Sequence, residues 1–350
     1  MRTRWLVLPA ALAGLLMLGG AFSAVSMAFA DPERVGLQSE PGSPLATPVF
    51  HHVHQNSTDP AAAIAAFQKI YPALVKVTVG GFDGVQIPNV MSILFSRVAA
   101  PAPTQPQSAF LRHVFSVPNI RELVKQLRSL KMDVRPLYTL EGTTMDVSSD
   151  TYQNGMTRTA YEEAKAKNTL APPTGTGGYI IFWGPENVLI ETSERSTLKP
   201  GEAAYGLVDM WQDDSICAEL WYRTHLNTPA RAGRGGAPAP VYTEATCKVP
   251  KSEPSFPSVD KAGTRRQPGG GAAFGAVGLN WFVSQSDVPL APTRGQLVDH
   301  IAVSVPALDP WIAKLKAENV RFLQPPYTFG DLRAIMIEGP SREAIEIIGK

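Results

Sequence analysis

The sequence predicts an α+β fold assembled from four similar units, and two repeats within the chain indicate this arrangement. The first repeat is a short phrase, GPENVLIE ending at Glu191 and GPSREAIE ending at Glu346. The second is an apolar helical stripe, Ile120-Leu123-Val124-Leu127, which returns with the same spacing as Leu308-Trp311-Ile312-Leu315. Apolar residues at i, i+3, i+4 and i+7 form one face of a helix. Self-similarity along a chain indicates repeated supersecondary units.

The chain begins with a segment that has the pattern of a secretory signal peptide. Two arginines precede a long apolar run, and a small-residue cleavage motif, Ala28-Phe29-Ala30, follows the run. We therefore expect residues 1–30 to be removed and the protein to be exported, either periplasmic or secreted, with no stable membrane association afterwards. The alternative is an uncleaved membrane anchor, since the apolar run approaches the length that spans a bilayer.

Length, charge and cysteine usage limit the class of protein. The 350-residue chain is long enough for two domains with their own cores. Its formal net charge of +1 and the absence of long basic runs argue against a nucleic-acid partner. Cys217 and Cys247 are compatible with one disulfide bond in an oxidising compartment or with two separate thiols. The sequence leaves the oligomeric state open.

The first unit spans residues 46–100 and begins with an alternating strand around His52. Asp59-Pro60 is a helix-start signal, because aspartate caps a helix and proline fits its first position. A helix is therefore expected over residues 61–71. Two later stretches rich in β-branched residues are expected to form strands, around Val75–Val79 and Val90–Val98.

The second unit spans residues 108–196 and repeats this order. A strand near Phe110 leads into the helix with the first apolar stripe, and the phrase ending at Glu191 forms the last strand. An insertion over residues 142–178, with a short polar helix, lies between them. The insertion is either an ordinary surface excursion or a lid over a site.

The third and fourth units span residues 200–290 and 294–350. A tract rich in glycine, proline and arginine, residues 229–271, interrupts the third unit and is predicted to be flexible. One such unit cannot cover its own sheet, so the units must pair to bury a core. We expect two domains, residues 46–196 and residues 200–350.

Histidines on first strands and glutamates on last strands give the chain a pattern that resembles the vicinal oxygen chelate superfamily. That superfamily includes lactoylglutathione lyases, fosfomycin-resistance proteins and extradiol dioxygenases. The resemblance covers nearly all of the mature chain, and it implies βαβββ modules paired into two cupped mixed sheets with a divalent metal inside each cup. The ligands that it implies here are His52 from the first unit and His300 with Glu346 from the fourth. Glu191 is the earlier copy of Glu346.

The implied cofactor is a divalent ion such as Fe, Mn, Zn or Ni, whose open positions a small substrate with vicinal oxygens would occupy. Glu346 and His54 are the candidate catalytic residues. His54 faces the same way as His52, so it either contacts the substrate or supports a ligand. His51 is expected to face outward.

The second and third units depart from the family's pattern. The counterpart of His300 in the second unit is Arg112, and His113 lies one residue later. A shift of one residue turns a strand side chain to the opposite face unless a bulge turns it back. Leu207 occupies the histidine position of the third unit and cannot bind a metal. We expect a second site without metal, in which Arg112 pairs with Glu191.

Two pairings of the units are open. If neighbouring units pair, both sites lack a ligand. If the first unit pairs with the fourth, one cup holds His52, His300 and Glu346 together. The missing histidines fall only in the second and third units, so we take the first-with-fourth pairing as our hypothesis.

The predicted function is that of an exported metal-dependent enzyme, a lyase, isomerase or dioxygenase acting on a small molecule with vicinal oxygens. The alternative is a non-catalytic protein that binds a small ligand and has degenerate metal sites. A fourth-ligand glutamate typical of lactoylglutathione lyases is missing from the first-type strands. The tyrosine typical of extradiol dioxygenases is replaced by Ile181 and Met336. Neither specific activity is therefore supported.

Overall fold

The computed structural model describes residues 45–88, 90–132, 138–139, 146–148, 163, 166–168, 179–230, 241–251, 266, 268–284 and 288–350. The predicted signal peptide lies outside these residues, as do most of the insertion over 142–178 and most of the 229–271 tract. Among the described residues, none of the helices combines the length and the apolar character needed to cross a membrane.

Each unit forms a strand, a helix and further strands. The first unit contains β1 (Val49–Ser57), α1 (Pro60–Ile70), β2 (Val75–Val79), β3 (Phe82–Ile87) and β4 (Met91–Arg97). The second contains β5 (Phe110–Val117), α2 (Ile120–Ser129), β6 (Tyr138–Thr139), β7 (Asp146–Ser148), β8 (Tyr179–Trp183) and β9 (Leu189–Glu194). The third contains β10 (Ala204–Gln212), α3 (Ser215–Leu226), β11 (Gly270–Phe274) and β12 (Val277–Val283). The fourth contains β13 (Val298–Ser304), α4 (Leu308–Ala317), β14 (Phe322–Phe329), β15 (Leu332–Glu338) and β16 (Ala344–Gly349).

The first two helices begin at the capping residues that the sequence supplies. The side chain of Asp59 accepts a hydrogen bond from the Ala62 N–H at the start of α1, and proline follows the cap. Asn119 accepts a hydrogen bond from the Glu122 N–H at the start of α2. The apolar stripe of α2 is buried along its whole length. The helices predicted from the stripe and from the cap are therefore confirmed.

The strands form two mixed sheets of eight strands, one in the order β14-β15-β16-β13-β1-β4-β3-β2 and the other in the order β11-β12-β10-β5-β9-β8-β7-β6. In the first sheet, β1 runs antiparallel to β13, and in the second, β10 runs antiparallel to β5. The first unit is thus paired with the fourth, and the second with the third. The predicted α+β fold of paired modules in two mixed sheets is confirmed.

This pairing changes how the predicted domains relate to the sheets. Each sheet contains strands from both residues 46–196 and residues 200–350, because β1 and β5 each pair with a strand from the far half of the chain. The two segments are separate in sequence but joined through both sheets. Their boundaries stay a prediction.

One apolar core lies between the two sheets and their helices. Tyr71 after α1 stacks on Phe115 of β5, with ring centroids 4.2 Å apart, and its hydroxyl bonds to Thr192 Oγ1 at 2.6 Å. His113 lies in this core, where its imidazole bonds to the Gln55 amide at 2.6 Å and to the Tyr205 hydroxyl at 2.7 Å. Residues of both sheets therefore share one interior.

A disulfide bond joins Cys217 on α3 to Cys247 in the described part of the 229–271 tract. Of the two alternatives that the sequence left open, the structure has the disulfide. The tract ends two residues earlier than predicted, because Gly270 and Gly271 pair with β12 as the first residues of β11.

The first sheet curls until its outer strands meet. Gly80, in the turn between β2 and β3, has a φ of +62° and lies against the ring of Phe329 at the end of β14. A Cβ atom at Gly80 would stand 2.4 Å from Phe329 Cζ, so this close approach requires glycine. Val77 and Val79 of β2 pack in the same apolar cluster as Phe329. The curled sheet encloses a concave space that we call the first cup.

Candidate metal site

Three histidines and one glutamate meet in the first cup. His52 and His54 come from β1, His300 comes from β13 and Glu346 comes from β16. His54 stands opposite His300, while Ala302 stands between His52 and Glu346 on the neighbouring strands. Alternate residues of a strand face the same side, so all four side chains enter the cup. All four are buried.

The distances between these side chains suit a single bound ion. Glu346 Oε2 lies 3.4 Å from His52 Nε2 and 3.7 Å from His300 Nε2. One ligand atom from each of His52, His54 and His300 can be chosen so that all lie within 4.8 Å of one another. Two atoms bound to one transition-metal ion at 2.0–2.2 Å are separated by about 3–4 Å. The first-with-fourth pairing thus brings His52, His300 and Glu346 together, and His54 with them.

Each histidine has one ring nitrogen that faces away from the centre of the cup, and a hydrogen bond holds that nitrogen. The three bonds are His52 Nδ1 to His51 Nδ1 at 2.8 Å, His54 Nε2 to Ser96 Oγ at 2.8 Å, and His300 Nδ1 to Asp299 Oδ1 at 2.6 Å. In metal sites, such bonds fix the orientation and the tautomer of the imidazole that binds the ion. Each ring is therefore oriented with its other nitrogen directed toward the cup.

The atoms directed at the centre of the cup have no hydrogen-bond partner among the described residues. They are His52 Nε2, His54 Nδ1, His300 Nε2 and Glu346 Oε2. Leaving one buried polar atom without a partner costs about 1–3 kcal/mol. Four such atoms around one point would be a heavy penalty for a purely structural cluster. Three imidazoles and a carboxylate are instead a donor set that fits a divalent transition metal.

Burial sets the protonation of the two histidines on β1. It lowers the pKa of His54 to about 3 and the pKa of His52 well below its usual value, and neighbouring histidines add to both effects. Burial acts on His300 in the same direction, but its hydrogen bond with Asp299 and the negative charges of Asp299 and Glu346 outweigh it and raise the pKa of His300. Neutral imidazole is the form that binds metals. His52 and His54 are therefore held in that form.

The first cup opens into a cavity of about 320 Å³. Tyr327 of β14 lines this cavity and donates a hydrogen bond to Glu346 Oε1. Arg294, in the loop before β13, lines it as well and pairs with Asp299 Oδ1. The sequence did not single out Tyr327 or Arg294, because neither belongs to a motif and the β14–β15 register is irregular.

His51 does not face outward as the alternation predicted. The register of β1 against β13 shifts between Phe50 and His52, and such an irregularity places consecutive side chains on one side of a strand. The His51 ring therefore contacts both His52 and Phe329.

The second sheet contains a site that corresponds to the first cup. We call this site the second cup, and a buried arginine lies at its centre. Arg112 Nη2 lies 2.6 Å from Glu191 Oε2 and 2.6 Å from Asp209 Oδ2. The expected pair of Arg112 with Glu191 is present. Asp209, which stands opposite Arg112 as His54 stands opposite His300, was not anticipated.

The other two residues considered for the second cup contribute no ligand to it. Leu207 occupies the position of a first-strand histidine and is apolar. His113 pairs with Val208 in regular register and points into the core, not into the cup. A bulge that would turn His113 inward is not found at this residue.

Solved structures share this architecture. A mutant of glyoxalase I from Zea mays superposes with a TM-score of 0.56 and 9% sequence identity, covering 87% of this chain and 92% of that chain. A second mutant of that enzyme gives a TM-score of 0.55 and 8% identity, with 87% and 94% of the two chains covered. The unsubstituted enzyme gives a TM-score of 0.54 and 8% identity, with 87% and 92% covered.

These similarities establish the fold of the chain, which is the vicinal oxygen chelate fold expected from the sequence. At such low identity they establish nothing about activity. No protein-family model and no curated protein sequence matches the chain.

Proposed function

We propose that the first cup binds one divalent metal ion through His52, His54, His300 and Glu346. We further propose that the protein is an exported enzyme acting on a small substrate with vicinal oxygens. The observation that carries the proposal is the convergence of four buried, unpartnered atoms on one point. An ion such as Fe, Mn, Zn or Ni would satisfy all four at once.

His54 takes a different role here from the one first considered for it. Ser96 holds its Nε2, so its Nδ1 is the nitrogen that faces the other ligands. The ring of His54 stacks on that of His300, with centroids 4.6 Å apart. We therefore assign His54 as a fourth ligand, a role for which the sequence offered no family precedent.

When bound, the ion would act as a Lewis acid on the adjacent oxygens of the substrate. The chain's own residues orient the substrate and handle protons. Tyr327 holds Glu346 Oε1, so Oε2 is the oxygen that can bind the ion or accept a proton. Phe82 and Phe329 form an apolar wall of the cavity beside His54 and His52, and this wall limits the entry of water.

Export is part of the proposal, and two observations support it. The first 30 residues have the pattern of a signal peptide. The disulfide between Cys217 and Cys247 is typical of proteins in oxidising compartments. N-terminal sequencing of the protein from the exported fraction tests this part, and a mature chain that retains residues 1–30 would contradict it.

Metal analysis of the purified protein tests the site. We expect about one divalent ion per chain, lost in His52→Ala and in Glu346→Ala because each removes a ligand. The matched control is His225→Ala. The side chain of this histidine is 18% exposed and pairs with Glu318, and neither residue lines the cavity, so metal content should be unchanged.

Two results would overturn the proposal. One is a folded wild-type protein that neither contains nor takes up metal, which would instead favour the non-catalytic ligand-binding function. The other is metal binding that His52→Ala and Glu346→Ala leave intact. Circular dichroism of each variant separates loss of the metal from loss of the fold.

A further inference from the structure

Three charged side chains line the cavity of the first cup, and Arg294 is the cation among them; the others are Asp299 and Glu346. We infer that Arg294 selects a substrate that carries an anionic group beside its vicinal oxygens. This inference rests on the metal site proposed above and names the class of molecule that the site takes.

The position of Arg294 places an anion-binding group at the mouth of the cavity. Its side chain is 42% exposed, whereas that of the ligand His300 is only 7% exposed. Arg294 Nη1 pairs with Asp299 Oδ1 and lies 3.5 Å from His300 Nδ1. The guanidinium thus contacts the proposed ligand His300 from the solvent side.

Arg294 keeps donors for a ligand while it holds Asp299. A guanidinium has five N–H donors in a planar fork, and the contacts with Asp299 and His300 all involve Nη1. The remaining donors can form a two-pronged bond to a carboxylate, which is the geometry that arginine favours. Among the described residues that line the cavity, Arg294 is the only arginine or lysine.

A substrate of this class would bind with its vicinal oxygens at the base of the cup and its anionic group at the mouth, where Arg294 lies.

The test compares two probes of similar size that both present vicinal hydroxyls, 3,4-dihydroxybenzoate with a carboxylate and 4-methylcatechol without one. The full-length protein is loaded with zinc, which does not change oxidation state, and titrated calorimetrically with each probe. We expect about tenfold tighter binding of the carboxylate probe, since hydrogen bonds between charged groups are among the stronger ones.

Arg294→Gln should abolish this preference, while the variant still binds zinc and 4-methylcatechol. Arg294→Lys keeps the positive charge but not the planar pair of donors, so it should retain part of the preference for the carboxylate probe. The matched control is Arg333→Gln. Arg333 pairs through Nη1 with Asp309 Oδ1, has a similar exposure of 47% and lies outside the cavity lining, so the preference should persist.

The outcomes separate the inference from the metal site on which it rests. Two results would refute the role of Arg294 but leave the metal site standing. In one, the protein binds zinc but binds the two probes with equal affinity. In the other, the preference for the carboxylate probe survives Arg294→Gln. The role of Arg294 would also be refuted by a variant that loses zinc and both probes together, since Arg294 would then act through Asp299 and His300. Failure of the wild-type protein to bind zinc or another divalent ion would refute both proposals.

Discussion

Arg112 stands in the second cup where His300 stands in the first, so a permanent cation takes the place of a proposed metal ligand. Burial alone would lower the pKa of Arg112, but the charges of Glu191 and Asp209 outweigh it and raise that pKa. Beside it, Asp209 is fully buried and the Glu191 side chain is 12% exposed. Their charges are tolerable because the guanidinium lies between them. The second cup is therefore a structural ion cluster.

Replacing Arg112 with methionine should strongly destabilise the protein, because the buried Asp209 and the partly buried Glu191 would lose their shared cation. Removal of one partner from a buried ion pair costs about 3–5 kcal/mol. Denaturant unfolding measures the change. The control is Arg321→Met, since Arg321 is 69% exposed and pairs with Glu338 at the surface. Such a pair contributes at most about 1 kcal/mol.

A companion variant separates the charge effect from a packing effect. Adding Glu191→Gln and Asp209→Asn to Arg112→Met removes the uncompensated charges, so much of the lost stability should return. If the triple variant were no more stable than Arg112→Met, packing and not charge would explain the destabilisation.

The sequence predicted part of the two sites. The family resemblance pointed to His52, His300 and Glu346 as candidate ligands. Counting along the repeats placed Arg112 at the position of His300 and opposite Glu191, because strand periodicity fixes which side chains share a face. Tyr327 and Asp209 could not be found in this way. They belong to no repeated phrase, and their roles depend on how neighbouring strands register and curl.

The turns of two hairpins close the first cup, although they lie at opposite ends of the same sheet. Gly80 in the β2–β3 turn contacts the ring of Phe329, and that ring stacks on His52 with centroids 5.5 Å apart. Phe329 is buried. A change in the turn can therefore reach a metal ligand through a single aromatic ring.

We expect Gly80→Ala to lower both stability and metal affinity. Its Cβ atom would displace the Phe329 ring from its place on His52, and loss of support around a ligand lowers metal affinity by about tenfold or more. Competition with a chromogenic chelator measures that affinity. The matched control is Gly81→Ala. Gly81 also has a positive φ, of +88°, but no atom lies within 4 Å of a Cβ built there.

Gly80→Ala and Gly81→Ala differ in whether the new Cβ atom meets the Phe329 ring. Both place alanine in a left-handed conformation, which costs roughly 1–2 kcal/mol. Equal metal affinities for Gly80→Ala and Gly81→Ala would show that Phe329 does not transmit the change to His52.

Among the elements, helices were easier to predict than strand details. Caps and apolar stripes are local signals, so α1 begins one residue before the expected position and α2 contains the whole predicted stripe. The irregular register that turns His51 toward His52 has no local signal. It arises where β1 pairs with β13, a strand from the far end of the chain.

At the scale of the whole molecule, the first and last units build the first cup and the middle units build the second. The two sheets are then linked by buried polar contacts as well as by the core. Glu343, directly before β16, accepts hydrogen bonds from Gln212 Nε2 at 3.0 Å and from the Tyr222 hydroxyl at 2.8 Å. Both partners belong to the third unit. Glu343 thus joins two units that do not share a sheet.

This contact should make stability depend on pH in a direction opposite to that of most carboxylates. Burial raises the pKa of Glu343 above its usual 4.5, and the hydrogen bonds it accepts do not cancel the effect. The folded protein therefore holds this proton more tightly than the unfolded chain does. As pH rises from 4.5 to the raised pKa of the folded state, the contribution of Glu343 to the free energy of unfolding falls.

Glu343→Gln tests this linkage because glutamine does not titrate. The variant loses one acceptor for the Ser341 N–H, so it should be less stable than the wild type at pH 4.5 and below. The deficit should shrink as pH rises toward 8, since only the wild type loses stability through this group. Urea unfolding of both proteins across this range measures the difference. A deficit that stays constant with pH would mean that Glu343 titrates alike in the folded and unfolded states, and the contact between units would then be insensitive to pH.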